Sequence, residues 1–308
     1  MPAYLKIIVY LLAVVAAGGL VAPLIFAAGQ ALAAGGVTDW LAKFPFHRVL
    51  SRCVQVSALV LLWPALRWIG LRRLRDLGLQ RNSLKVVDVG VGLVLAAGLV
   101  FLLGTFFLSV GWFTLRPDPE WSKLGRVVLT AAAVGSIEEF IFRGVVLGLC
   151  LWSLRPTGAI FLSSLLFAVV HFMRPARGSL GPGEVYWWSG WAELGSFVAA
   201  WPAPGLLVAG LASLFAAGWI LGTAAVRTKS LWLPIGLHAG WVFAQQTSQI
   251  FLRPVPENGA SHLPWVGPNL VSGAVPTGLL PLLALGLTGL LVHLYLQYVF
   301  RPVATRVA

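Results

Sequence analysis

The sequence predicts an all-α, polytopic membrane protein: a bundle of about eight transmembrane helices in a single integral membrane domain over residues 1–308. Three observations predict this class. Of the 308 residues, 58% are hydrophobic and only 10% are charged, whereas soluble domains carry about 25% charged residues. The mean hydropathy is +0.87. The apolar residues are also collected in runs of about 20, the length that a helix needs to cross the hydrocarbon core.

Proline, glycine and charged residues mark the breaks between these apolar runs and so place the predicted spans. The first run is longer than the roughly 7–15-residue apolar core of a cleaved secretory signal, so we expect it to be retained as a helix. The predicted spans are residues 6–28, 50–70, 86–110, 127–151, 157–173, 205–226, 231–252 and 278–299.

The segment 174–204 interrupts the series of spans because it is too polar to cross a bilayer. It contains Trp187, Trp188, Trp191 and Trp201, and tryptophan favours the interface between membrane and water. We therefore expect a Trp-rich interfacial loop that anchors the chain passively. The alternative is a lid or a substrate-gripping element beside a site.

The net charge of +12 would suggest a nucleic-acid partner in a soluble protein. Here the basic residues lie between apolar runs, where they set topology and contact anionic lipids of the bilayer, so no nucleic-acid partner is expected. By the positive-inside rule, the largest basic cluster faces the cytoplasm, and eight spans then place both termini there. We expect the membrane to be a bacterial inner (plasma) membrane. The cluster comprises Arg67, Arg72, Arg73, Arg75, Arg81 and Lys85.

The fourth apolar run carries three charged residues, Glu138, Glu139 and Arg143. Each costs about 2.5–3.5 kcal/mol at bilayer depth, so they must face protein or water and satisfy one another. Glu139 and Arg143 are four residues apart, share a helix face and are expected to pair. Glu138 points about 100° away around the helix. We therefore assign Glu139 and Arg143 to an internal ion pair and Glu138 to the chemistry.

Two histidines also lie inside apolar runs: His171, one helical turn after Phe167, and His238. Glutamate and histidine together support two kinds of chemistry. One is activation of water by a carboxylate base, with imidazole positioning the water or stabilising an oxyanion. The other is a metal site with His171, His238 and Glu138 as ligands and water in an open position. The residue types alone do not decide between these two kinds of chemistry.

The order of these motifs resembles that of the CPBP (CAAX protease and bacteriocin-processing, Abi) family of intramembrane proteases, which includes the type II CAAX prenyl endopeptidases. Glu138 to Arg143 match the family's Glu-Glu-x-x-x-Arg, and Phe167 to His171 match its Phe-x-x-x-His. His238 matches the first position of its His-x-x-x-Asn, but Val242 replaces the asparagine. The resemblance covers about residues 123–252.

The resemblance implies an intramembrane endopeptidase that cleaves a membrane-associated protein or peptide. It implies that Glu138 activates the attacking water with help from His171, that His238 donates to the oxyanion, and that Glu139 and Arg143 shape the site, with Phe167 in support. The glutamate-type mechanism needs no cofactor. Zinc, held by Glu138, His171 and His238, is the alternative, because family members are often labelled metalloproteases.

Two other functions remain as alternatives. Loss of one oxyanion donor typically lowers a rate by about 10²–10³, so Val242 favours a non-proteolytic membrane binding or immunity protein of the same family. A proton-coupled transporter would use the same carboxylates as a relay. It predicts paired repeats with broken helices in both halves of the chain, and the sequence shows no such repeats.

Overall fold

The computed structural model describes residues 3–37, 43–71, 73, 75, 79–173, 180–196, 201–255, 262–267 and 277–299. These residues form two compact units, one built from residues 1–73 and 171–201 and the other from residues 74–170 and 202–308. Arg72 of the predicted basic cluster, residues 174–179 and 197–200 of the predicted interfacial loop, and the C-terminal residues 300–308 lie outside the described residues.

The described part of the chain is almost entirely helical. Its α-helices are α1 (Ala3–Ala34), α2 (Phe46–Ile69), α3 (Lys85–Ser109), α4 (Leu124–Glu139), α5 (Leu147–Cys150), α6 (Pro156–Phe172), α7 (Ser189–Ala192), α8 (Pro204–Thr228), α9 (Trp232–Phe251) and α10 (Leu279–Val299). A π-helix, Phe140–Val146, joins α4 to α5, and short 3-10 helices span Trp121–Lys123, Pro182–Glu184 and Glu193–Gly195. Strands β1 (Phe113–Leu115) and β2 (Leu252–Pro254) pair in antiparallel fashion.

Five helices are long and apolar enough to cross a membrane: Ile8–Ala34 within α1, and the whole of α2, α3, α8 and α10. The chain is therefore an all-α, integral, multi-pass membrane protein, as the sequence predicts. The other three predicted spans coincide with α4 to α5, with the 17-residue α6 and with α9. The total of eight spans, the cytoplasmic termini and the bacterial inner membrane stay predictions.

The first unit is built on the antiparallel pair of α1 and α2. At one end of the pair, Lys6 Nζ donates a hydrogen bond to the carbonyl oxygen of Trp68 at 2.8 Å. At the other end, the rings of Phe26 and Phe46 meet edge to face, with centroids 5.5 Å apart. The 180–196 segment, which belongs to the predicted interfacial loop, packs on α1 through α7.

In the second unit, α9 lies between α3 and α4. Glycine permits this close approach, because a Cβ on Gly92 would lie 2.6 Å from the backbone nitrogen of Leu237, and one on Gly240 would lie 2.7 Å from the carbonyl oxygen of Leu93. On the α4 side, a Cβ on Gly135 would meet Ala239 at 3.0 Å. Small residues let helix backbones pack closely within a membrane. Helix α9 is consequently held on two sides.

A polar network fixes the loop before α9. The carboxylate of Asp88, which is fully buried in the first turn of α3, accepts hydrogen bonds from Asn82 Nδ2 at 2.6 Å and from Tyr295 Oη at 2.6 Å. Asn82 Nδ2 also donates to Ser230 Oγ at 3.2 Å, and Ser230 precedes α9 by two residues. Because buried polar groups are costly unless they are paired, this network holds α3, α10 and the start of α9 together.

Candidate active site

The acidic motif lies where the helix changes type. Glu138 and Glu139 are the last two residues of α4, and Arg143 lies in the π-helix that follows. The backbone hydrogen bonds of a π-helix span one more residue than those of an α-helix, and such segments are frequent at functional sites. The change of helix type therefore coincides with the three charged residues that the sequence singles out.

Glu139 and Arg143 form an ion pair, as their spacing predicts. Arg143 Nη1 donates to Glu139 Oε1 at 2.9 Å, and both side chains are fully buried. The guanidinium group also contacts α8 and α6: Nη2 donates to the carbonyl oxygen of Gly218 in α8 at 3.2 Å, and its central carbon lies 4.3 Å from the centroid of the Phe167 ring. A cation over an aromatic face is stabilised by the ring quadrupole. Arg143 therefore connects the π-helix to both α6 and α8.

His238 joins this pair from α9. Its Nδ1 lies 2.7 Å from Glu139 Oε1, the same oxygen that accepts from Arg143. An ionised carboxylate only accepts hydrogen bonds, so Nδ1 carries the proton. The contact fixes the tautomer of His238 and leaves Nε2 on the other side of the ring. The sequence did not predict this contact, because nothing in the spacing of residues 99 apart indicates it.

Glu138 faces the free side of the imidazole. Its Oε2 lies 3.9 Å from His238 Nε2, and its side chain is 31% exposed, whereas that of Glu139 is fully buried. A separation of 3.9 Å is too long for a direct hydrogen bond. The two adjacent glutamates thus have different environments, one inside an ion pair and one open beside a histidine.

Phe167 places α6 against this cluster. Its ring packs edge to face on His238, with centroids 5.9 Å apart, and on Phe142, with centroids 5.1 Å apart. His171 is the penultimate residue of α6, is half-buried and lies one turn after Phe167. It falls in the first unit, whereas the other site residues fall in the second. Its predicted partnership with Glu138 stays a prediction.

Val242 lies one helical turn after His238 on α9 and is 2% exposed. The isopropyl group of Val242 therefore occupies a buried position, and the motif of the family that the sequence resembles has the side-chain amide of asparagine there. Within the described residues, no group of three or more His, Cys, Asp or Glu side chains is arranged to hold a metal ion. The prediction of no cofactor, with zinc as the alternative, stays a prediction, and no step below uses a metal.

Comparison with known protein families gives a match to part of the chain. Residues 120–244 match the family model described as "Type II CAAX prenyl endopeptidase Rce1-like". The matched segment contains the acidic motif, Phe167, His171 and His238. No curated protein and no solved structure gave a match.

Proposed function

We propose that this chain, whose residues 120–244 match a CAAX-type protease family, is an intramembrane endopeptidase that uses a glutamate-activated water. Its substrate is a membrane-associated protein or peptide. The observation that carries the proposal is the pairing of Glu138 Oε2 with His238 Nε2 at 3.9 Å. Glu138 is the one side chain of this cluster that is substantially exposed, at 31%, whereas those of His238, Glu139 and Arg143 are buried.

In this proposal, Glu138 is the general base. A water between Glu138 and His238 donates one hydrogen bond to each, which directs its lone pair towards the carbonyl carbon of the substrate. As the oxygen–carbon bond forms, the water proton passes to Glu138 and the carbonyl electrons move onto the oxygen. Glu138 then returns the proton to the leaving nitrogen as the carbon–nitrogen bond breaks. A positioned carboxylate of this kind contributes about 10²–10⁴ in rate.

Glu139 orients His238. With Nδ1–H bonded to Glu139, a neutral ring offers only the lone pair of Nε2, and it can accept a hydrogen bond from the water. A protonated ring donates from Nε2 and can stabilise the oxyanion, the role that the resemblance implies for His238. Arg143 is well placed to hold Glu139 because it bonds the same oxygen. His171 assists Glu138 in this proposal.

Val242 favours a second candidate, a membrane binding or immunity protein of the same family without proteolytic activity. The oxyanion is the largest charge that develops in peptide hydrolysis, and removal of one donor costs about 10²–10³ in rate. A protein that only binds a peptide has no oxyanion to stabilise, so an apolar residue at this position is no disadvantage to it. Both candidates bind a membrane-associated peptide.

The test is hydrolysis by the purified protein in lipid vesicles. Its substrates are membrane-anchored peptides, each with and without a prenylated C-terminal cysteine, and products are measured by mass spectrometry. We compare wild type with Glu138→Gln, which keeps the shape of the side chain and removes the base. The matched control is Glu120→Gln, which changes an exposed glutamate paired with Lys123. A chelator is added in a parallel series.

We expect cleavage in the wild type, a loss of about 10²–10⁴ in Glu138→Gln, and no change in Glu120→Gln or with chelator. Equal cleavage by wild type and Glu138→Gln would contradict the role of this residue. Loss on chelation, with recovery in zinc, would replace the mechanism by a metal-dependent one. Peptide binding without cleavage would support the second candidate, and proton uptake that depends on Glu138 without cleavage would support a transporter.

A further inference from the structure

Helix α1 provides a measure of depth in the membrane. Its apolar span runs from Ile8 to Ala34, which at about 1.5 Å per residue gives about 40 Å, longer than the roughly 30 Å of the hydrocarbon core. The middle of this span is Val21, and Ala16 and Gly19 lie within about 8 Å of it along the helix. Residues of the chain that touch α1 at Ala16 and Gly19 are therefore well inside the bilayer.

The 180–196 segment touches α1 at this depth. Trp191 Nε1 donates to the carbonyl oxygen of Ala16 at 3.1 Å. Gly190 packs directly on the carbonyl oxygen of Gly19, where any Cβ would overlap it. Pro23 explains why that carbonyl is available, because proline has no N–H to donate to the residue four positions earlier. The contact sits at the centre of α1 and far from either end.

Both arms of the segment contact one cluster of buried residues on the helix pair. Leu180 and Val185 precede the Gly190–Trp191 tip and Leu194 follows it, and all three pack against this cluster. The cluster comprises Ala22, Phe26, Phe46, Leu50 and Cys53. The two arms therefore lie along the same helix pair as the tip.

The segment also exposes groups that a hydrocarbon environment does not accept. Glu184 is exposed and Glu193 is partly exposed, while the backbone between them contains only a four-residue helix and turns. An ionised carboxylate costs about 2.5–3.5 kcal/mol or more at bilayer depth. Non-helical backbone is tolerated there only against protein or beside water. The side of this segment that is not covered by protein must then face water.

We infer that residues 180–196 form a re-entrant segment, which enters the membrane beside α1 and α2, turns at Gly190 and Trp191, and lines a water-filled space at the depth of Ala16. This differs from a loop that rests on the membrane surface, which the tryptophan content alone favours. The inference concerns the first unit and is independent of the proposed hydrolysis. A hydrolase that works inside a bilayer does require such a space, because water has to reach its substrate.

Cysteine labelling tests whether this segment faces water. In a background with Cys53→Ala and Cys150→Ala, single cysteines are placed at Gly183, Ala192 and Gly195, and intact vesicles or cells are treated with a membrane-impermeant maleimide. A side chain added at Gly183 or Gly195 has nothing within 4 Å, so these variants are expected to fold. The matched control is Leu20→Cys, an exposed position on α1 at the depth of the tip.

We expect the three segment cysteines to react at least about tenfold faster than Leu20→Cys, because only a thiolate in water reacts with the reagent. Leu20→Cys should react only after the protein is unfolded in detergent. If all three segment cysteines reacted as slowly as Leu20→Cys, the inference of a water-filled space would be overturned.

Spin labels test the depth separately. Nitroxides at Ala192 and Leu20 should broaden each other's spectra, whereas nitroxides at Ala192 and Val37 should not. Val37 follows the end of α1, and the 17 residues from Leu20 correspond to about 25 Å of helix. Broadening of the Ala192–Val37 pair without broadening of the Ala192–Leu20 pair would place the segment at the membrane surface and would overturn the re-entrant path. Neither measurement depends on catalytic activity, so failure of the proposed function would not affect them.

Discussion

His238 Nδ1 and Glu139 Oε1 lie 2.7 Å apart across the interface between α9 and α4. This contact connects two motifs from distant parts of the chain and gives the adjacent glutamates different surroundings. Glu139 is enclosed by Arg143 and His238, whereas the side chain of Glu138 is 31% exposed and lies beside the other ring nitrogen. In the proposed hydrolysis, Glu139 orients His238 and Glu138 acts as the base.

The first prediction concerns the buried ion pair. Glu139→Gln leaves the Arg143 guanidinium buried without its carboxylate, and loss of one partner from such a pair costs about 3–5 kcal/mol. We expect the midpoint of thermal unfolding in detergent to fall clearly. The double variant Glu139→Gln/Arg143→Met removes the stranded charge and should recover part of the loss.

The exposed pair of Glu120 and Lys123 provides the control for this measurement. Its side chains are 63% and 40% exposed, and exposed pairs contribute only about 0–1 kcal/mol. Glu120→Gln should therefore leave the midpoint almost unchanged. If the double variant were as unstable as Glu139→Gln alone, the loss would not come from an uncompensated charge.

The second prediction concerns Phe167, whose ring lies under the Arg143 guanidinium and against His238. Phe167→Leu removes the cation–π contact, worth about 0.5–2 kcal/mol, and allows His238 to move. We expect reduced stability together with a fall in kcat that is larger than any change in KM. Phe161→Leu is the control on the same helix, because Phe161 is 52% exposed and contacts Phe215 instead.

A double-mutant cycle separates the contact from simple loss of volume. Phe167→Leu should lower the free energy of unfolding less in an Arg143→Met background than in the wild type. The difference between the two losses is the free energy of the cation–π contact. Strictly additive effects in this cycle would argue that Phe167 acts only by filling space.

The third prediction concerns the packing of α9 on α3. A Cβ on Gly236 would overlap the carbonyl oxygen of Val89, and backbone cannot move aside as a flexible side chain does. Gly236→Ala should therefore destabilise the protein by about 1–3 kcal/mol and displace His238, two residues later. Gly98→Ala on α3 meets nothing within 4 Å and should be neutral or stabilising by up to about 1 kcal/mol. Equal midpoints for both variants would contradict the close packing.

Much of the fold and part of the site follow from the sequence, for identifiable physical reasons. Apolar runs predict membrane helices because the bilayer requires internal hydrogen bonding, and α1, α2, α3, α8 and α10 coincide with predicted spans. The pairing of Glu139 with Arg143 is also predictable, because residues four apart on a helix are neighbours. Both inferences use local periodicity.

Contacts between distant segments did not follow from periodicity. The bond between His238 and Glu139 depends on how α9 packs against α4, and this depends in turn on glycines such as Gly135 whose partners the sequence does not identify. Similarly, tryptophan content predicted a surface loop at 174–204, but it carried no information about the contact of Trp191 with Ala16. The π-helix at Phe140–Val146 has no composition signal of its own.

The last prediction concerns Val242, which is buried one turn after His238. Val242→Asn places an amide donor beside the imidazole. If the proposed hydrolysis is correct, a restored oxyanion donor should raise kcat by up to about 10²–10³ with little change in KM, because the new bond forms only in the transition state. The buried amide should also lower stability by about 1–3 kcal/mol where its hydrogen bonds are incomplete.

Val242→Ala is the control, because it removes the same methyl groups and adds no donor. A rise in kcat that is specific to Val242→Asn would show that the site has the machinery for hydrolysis and is limited at this position. Equal rates in the two variants would mean that another group already stabilises the oxyanion. Peptide binding in both variants with no turnover in either would instead favour the non-proteolytic binding protein, because restoring the amide donor would then not be enough to restore hydrolysis.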